Sequence, residues 1–203
     1  MKDLLPLFSA TPGTTSLLII VVCASLFGLF AAPAMIERNL FRPYWVQRHR
    51  QYVTLISSAF LHADLGHLFF NMFTLWAFAF QLERETGTPV FLAIYGFGLL
   101  ASDLGTYLKH RSDPNYQCLG ASGAILAVLF ASIIYFPPAS LFIMPIPVPL
   151  FAAGYVAYSY YASRKAQGRI NHDAHLAGAL AGVVFVGLFD PSRFEQALHR
   201  FFT

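Results

Sequence analysis

The chain reads as an all-α membrane protein, one bundle of six transmembrane helices. Two observations carry this. Of its 203 residues, 57% are hydrophobic and only 11% charged, where a soluble domain carries about 25% charged residues. The apolar residues also gather into six segments, 16–35, 64–82, 88–108, 120–136, 146–165 and 173–190. Each is close to the roughly 20 residues (range about 17–25) that cross a bilayer core. No polar linker and no internal repeat divides them, so residues 1–203 are expected to form a single transmembrane domain.

The first segment could be mistaken for a signal peptide, since Ala32-Pro33-Ala34 resembles a cleavage site. Its apolar run is longer than the 7–15 residues of a signal core, so a retained span is expected. Residues 36–61 mix Arg, aromatics and Pro, which suits an interfacial loop or a short helix at headgroup level. The second and third segments are ordinary spans, ending in Glu83-Arg84 and carrying Asp103, respectively. The fourth is the shortest: its 17 residues make a helix of about 25 Å, less than the core thickness of about 30 Å. Such a helix begins below the membrane surface, with Ser122 among its first residues. Pro145, Pro147 and Pro149 cannot form a helix interior and lead into the fifth span. Tyr155, Tyr158, Tyr160 and Tyr161 there suggest an interfacial aromatic belt.

A net charge of +3 with Lys and Arg confined between apolar runs argues for contacts with membrane lipids and against a nucleic-acid groove. Cys23 and Cys118 make no disulfide framework.

Polar residues inside apolar spans mark functional sites, and three groups occur here. His62 precedes the second span, which carries His67 and Asn71 on one face at i, i+4 spacing. Gly120-Ala121-Ser122-Gly123 opens the fourth, where small neighbours let a substrate backbone approach and a helix start offers free N–H groups. His175 opens the sixth, followed by Gly178 and Gly182 at a spacing that lets helices pack closely. Alternate spans run in the same direction, so all three groups begin on one side of the membrane. Serine, histidine and two further donors make a set for hydrolysis: nucleophile, general base and oxyanion donors. Each also has a structural reading: interhelical contacts for His67 and Asn71, a helix N-cap for Ser122, a buried histidine for His175. Asp173 lies two residues before His175, and i, i+2 residues on a helix do not face each other.

Taken together, His62-x4-His67-x3-Asn71, Gly120-Ala-Ser122-Gly123 and Ala174-His175-x2-Gly178-x3-Gly182 resemble the rhomboid family of intramembrane serine proteases over roughly residues 50–190. The resemblance implies a six-helix rhomboid-like bundle with a Ser–His dyad, Ser122 as nucleophile and His175 as general base. His67 and Asn71, with the Ser122 backbone N–H, would form the oxyanion hole. His62, Gly120, Gly123, Gly178 and Gly182 would support them. Substrates would be transmembrane proteins cut near a membrane-exposed end, where an unwinding helix frees its backbone. No metal or organic cofactor is implied. Two positions depart from the family's pattern. Leu126 stands where many relatives stack an aromatic on the base histidine, and Val53-Thr54 where many have Trp-Arg.

The resemblance also implies the cytoplasmic membrane of a bacterium, with the site facing outward. The charge rule points the other way. Loops on the site side hold nine basic residues (Arg38, Arg42, Arg48, Arg50, Lys109, Arg111, Arg164, Lys165, Arg169) against four opposite (Lys2, Arg84, Arg193, Arg200). Arg side chains of the first loop that snorkel to headgroups would blunt that bias. Rival readings are a rhomboid-like pseudoprotease that binds without cutting, and a metal-dependent enzyme using His62, His67, His172, Asp173 and His175. A transporter would show repeat symmetry, and none is seen.

Overall fold

The computed structural model describes residues 8–137, 142–143, 146–165 and 171–202. Lys2, Pro145 and Arg169 of the readings above lie outside them. Between its loops the described chain is helical apart from an isolated bridge and the short pair β1 (Phe142–Ile143) and β2 (Ile146–Pro147). Its helices, in order, are α1 (Pro12–Phe30), α2 (Pro33–Asn39), α3 (Pro43–Arg48), α4 (Thr54–Ser57, continuing as a 3-10 turn to Phe60), α5 (Leu65–Thr86), α6 (Thr88–His110), α7 (Ser122–Tyr135), α8 (Val148–Lys165), α9 (His172–Phe189) and α10 (Pro191–Phe202).

α1, α5, α6 and α9 are long and apolar enough to cross a membrane. With the shorter apolar α7 and the 18-residue α8 they make an all-α multi-pass membrane bundle.

α7 is its centre. Between Ala121 and Phe136 only Ser122 and Phe130 are not buried, as expected of a helix that is apolar all round. α5, α6 and α9 surround it. Its 14 residues rise about 21 Å, about 9 Å short of a bilayer core.

α1 runs antiparallel to α5 and is pinned at both ends. At its start the buried Glu83 carboxylate of α5 accepts from Gly13 N (2.8 Å) and Thr14 N (2.6 Å), two of the orphan donors of a helix N-terminus. Toward its end, Ser25 Oγ meets His62 Nδ1 at 3.0 Å. Glu83 thus anchors the start of another helix as well as ending its own. α1 stops at Phe30, short of the expected residue 35, because Pro33 forces Ala32 out of the helical region (φ −142°, ψ 67°) and opens α2 instead.

α2, α3 and α4 are short helices within the stretch 33–60, where a loop or a short helix is expected from the sequence. An isolated bridge between Phe41 and Cys118 ties it to the loop before α7. Trp45 Nε1 donates to Pro114 O at 3.1 Å, and Arg42 pairs with Glu37 and Gln117. On the far side, α10 is a helix the sequence reading did not name. Arg193 at its start pairs with Glu85 and Arg200 reaches the Ile134 carbonyl, closing that end of the bundle.

Candidate active site

α5, α7 and α9 begin at the same end of the bundle. Asp64 caps α5, its Oδ1 accepting from His67 N at 2.8 Å. Asn171 caps α9, its Oδ1 accepting from Ala174 N at 3.0 Å while its Nδ2 donates to Thr106 Oγ1 of α6 at 2.8 Å. The α9 start is thereby tied to α6.

Ser122 is the first helical residue of α7 and makes no capping bond; Ala121 holds the cap position. Its hydroxyl turns instead to α9, where Oγ lies 2.7 Å from His175 Nε2. The N–H groups of Ser122, Gly123 and Ala124 have no partner within the helix, since the first intrahelical bond is Ile125 N to Ala121 O.

The glycines make this approach possible. A Cβ on Gly178 would stand 2.9 Å from Gly123 Cα and closer still to its carbonyl oxygen; one on Gly182 would stand 2.9 Å from Ala127 Cα. α9 therefore packs backbone to backbone on α7, as the spacing of its glycines suggested. Gly123 has the same need: a Cβ there would run into Ser102 of α6. Gly120 has φ +120°, which an L side chain rarely adopts, and the His67 ring occupies the space a Cβ would need (2.6 Å to Cε1).

His67 thus sits against the loop two residues before Ser122. Asn71, one turn along α5, is buried, and its Nδ2 has no hydrogen-bond partner. A buried amide donor is costly to leave unpaired unless a ligand uses it. His62 is fully buried, bonded to Ser25, with its ring edge-on to that of His67 at 4.9 Å between centroids. Burial lowers the His62 pKa to about 3, so it packs behind His67 as a neutral ring.

Asp173 is turned away from His175. Lys109 Nζ (2.7 Å) and His110 Nε2 (3.1 Å) of α6 hold its carboxylate. The residues that would make a metal centre are therefore dispersed: His62 faces Ser25 and Asp173 faces α6. Among the described residues no three His, Cys, Asp or Glu side chains stand together as metal ligands. Burial pushes the Cys118 thiol up to about 12, which leaves it protonated and unreactive beside the site.

The reading from sequence missed Tyr155. It was placed in an interfacial belt, yet its hydroxyl lies 2.5 Å from His175 Nδ1, on the opposite edge of the ring from Ser122. Tyr158, Tyr160 and Tyr161 are exposed, as a belt requires. The signal that could have separated them is the i, i+4 pair Tyr155–Ser159, two polar groups on one helix face.

The chain is similar to known proteins over most of its length. The Rhomboid domain family model matches residues 49–191. The mitochondrial presenilin-associated rhomboid-like protein of Mus musculus is 32% identical over 178 residues, 83% of this chain and 46% of that protein. The mitochondrial Rhomboid protein 1 of Saccharomyces cerevisiae is 30% identical over 189 residues, 88% of this chain and 54% of its own. The mitochondrial RHOMBOID-like protein 12 of Arabidopsis thaliana is 28% identical over 160 residues, 70% of this chain and 48% of its own. The chain spans about half the length of these curated relatives. A family match over most of the chain, with relatives at least 30% identical over 83% and 88% of it, means that this protein belongs to the rhomboid family.

Proposed function

We propose that this protein is an intramembrane serine endopeptidase that cleaves transmembrane segments of other membrane proteins. The observation that carries the reading is the 2.7 Å approach of Ser122 Oγ to His175 Nε2 across two helices packed on glycine. Ser122 attacks the scissile carbonyl carbon as His175 Nε2 takes its proton. The C–O bond forms and the carbonyl π pair moves to oxygen. That oxyanion collects hydrogen bonds from the Ser122 N–H, His67 and the unpartnered Asn71 amide. As the C–N bond breaks, His175 returns the proton to the leaving amine. Water then attacks the acyl carbon as His175 takes its proton, and the proton passes to Ser122 Oγ as the acyl C–O bond breaks, which releases the carboxylic acid product.

The short α7 supports substrate selection by depth. A nucleophile at its first turn meets a substrate helix a few ångströms inside the bilayer, where only an unwound backbone is accessible. The protein requires no cofactor in this scheme. It contacts membrane lipids and transmembrane substrates. Its site faces outward from a bacterial cytoplasmic membrane in this reading, although the named relatives are mitochondrial and lend that compartment no support.

The test is cleavage of a model transmembrane substrate in liposomes by the wild type, Ser122→Ala and His175→Ala. Cleavage by the wild type and its loss in both variants is expected. Folded wild type that never cuts, across several substrates, would move the reading to a binding pseudoprotease. Metal-dependent cleavage that survives Ser122→Ala would move it to metal-dependent hydrolysis.

A further inference from the structure

We propose that Tyr155 is a positioning residue for His175: its hydroxyl accepts the Nδ1–H and so holds the imidazole in the tautomer whose Nε2 can take the Ser122 proton. The inference rests on the hydrolytic reading above.

A neutral imidazole has one donor and one acceptor nitrogen. For Nε2 to accept from Ser122, the proton must sit on Nδ1, and a buried Nδ1–H needs an acceptor. Asp173, the nearest carboxylate in sequence, is engaged by Lys109 and His110. Leu126, one turn after Ser122, has no polar atom to offer. Tyr155 Oη at 2.5 Å is the acceptor the structure supplies. The rings of Tyr155 and His175 are tilted at 35° with centroids 5.8 Å apart, so the hydroxyl and not a stacked face makes the contact.

A tyrosine hydroxyl can accept while its own proton points elsewhere. Ser159, one turn along α8 and fully buried, lies with its Oγ 3.4 Å from Nδ1 of the buried His172. α8 therefore meets the start of α9 through two polar contacts, Tyr155–His175 and Ser159–His172. These contacts couple α8 to the reactive pair. Any displacement of α8 that moves Tyr155 releases the imidazole.

The test uses the full chain, with Tyr155→Phe compared to wild type. Phenylalanine keeps the ring and its packing and removes only the hydroxyl. Two readouts are taken: the rate at which a fluorophosphonate labels Ser122, and the 15N shifts of the His175 ring nitrogens. In the wild type the proton is expected on Nδ1. In Tyr155→Phe the tautomers should mix, and the labelling rate should fall on the order of tenfold to a hundredfold, the scale of a lost orientation. Ser159→Ala should slow labelling less. Tyr160→Phe, on another face of α8, should match the wild type. Labelling of Tyr155→Phe at the wild-type rate would overturn the proposal alone, as would a wild-type His175 protonated on Nε2. Absence of labelling in folded wild type would instead overturn the hydrolytic reading and this proposal with it.

Discussion

Replacing Gly178 by alanine adds one methyl group at the tightest point between α7 and α9. That carbon would stand 2.9 Å from Gly123 Cα, where carbon atoms pack at about 3.5–4.0 Å. Backbone cannot rotate out of the way as a side-chain tip can, so α9 must retreat from α7 by at least roughly 0.6–1.1 Å, the carbonyl of Gly123 being nearer still. His175 sits one turn before Gly178 and moves with it. Its 2.7 Å bond to Ser122 would lengthen by a similar amount, to about 3.3–3.8 Å, the range where a hydrogen bond is weak or gone. An ångström of misplacement costs about a hundredfold in rate, and over-packing costs about 1–3 kcal/mol of stability. The assay is fluorophosphonate labelling of Ser122 in detergent, with the thermal midpoint measured on the same samples. Gly96→Ala is the matched control, because a Cβ there meets nothing within 4 Å, and its midpoint should hold or rise as a helical glycine is removed. A Gly178→Ala protein that labels and unfolds like the wild type would refute the claim that glycine contact sets the Ser122–His175 distance.

Three other outcomes are expected. Asn71→Ala should lower kcat by about 10²–10³ with little change in unfolding midpoint, since its Nδ2 bonds nothing in the resting protein. Glu83→Ala should lower stability by about 3 kcal/mol or more, because it strands Gly13 N, Thr14 N and the Thr88 hydroxyl at once; a denaturant midpoint unchanged from wild type would contradict this. His62 makes stability depend on pH. Its folded pKa of about 3 lies below its unfolded value of 6.5, so between those limits the unfolded chain binds more protons and stability falls as pH falls. The penalty is absent above pH 7 and reaches about 2 kcal/mol at pH 5. His62→Gln should flatten that part of the stability profile.

Much of the site was legible because a bilayer makes polar residues conspicuous. His67, Asn71, Ser122 and His175 stand out in apolar spans, and parity of the spans alone puts their starts at one end. The glycines after His175 were legible too, since their spacing means backbone contact whatever the partner. Other close approaches carried no such mark. Gly98 and Gly105 on α6 face Ala127 and Ala177, yet at seven residues apart in an apolar run they look like neutral filler. Tyr155 was misread for a related reason. Four tyrosines within seven residues resemble an interfacial belt, and composition cannot tell which one turns inward. Only the placement of α9 decides that. The end of α1 was overrun because hydropathy continues through Ala31–Ala34, while the helix answers to Pro33. Asp103, the carboxyl carried inside the third apolar segment, has a buried Oδ2 with no hydrogen-bond partner.

The central claim is that Ser122 is a nucleophile activated by His175. Its most direct test is to treat folded wild type and His175→Ala with a fluorophosphonate and map the adduct by mass spectrometry. A single adduct on Ser122, formed by the wild type and lost in His175→Ala, is the expected result. An adduct elsewhere, or equal labelling of Ser122 without the histidine, would contradict it.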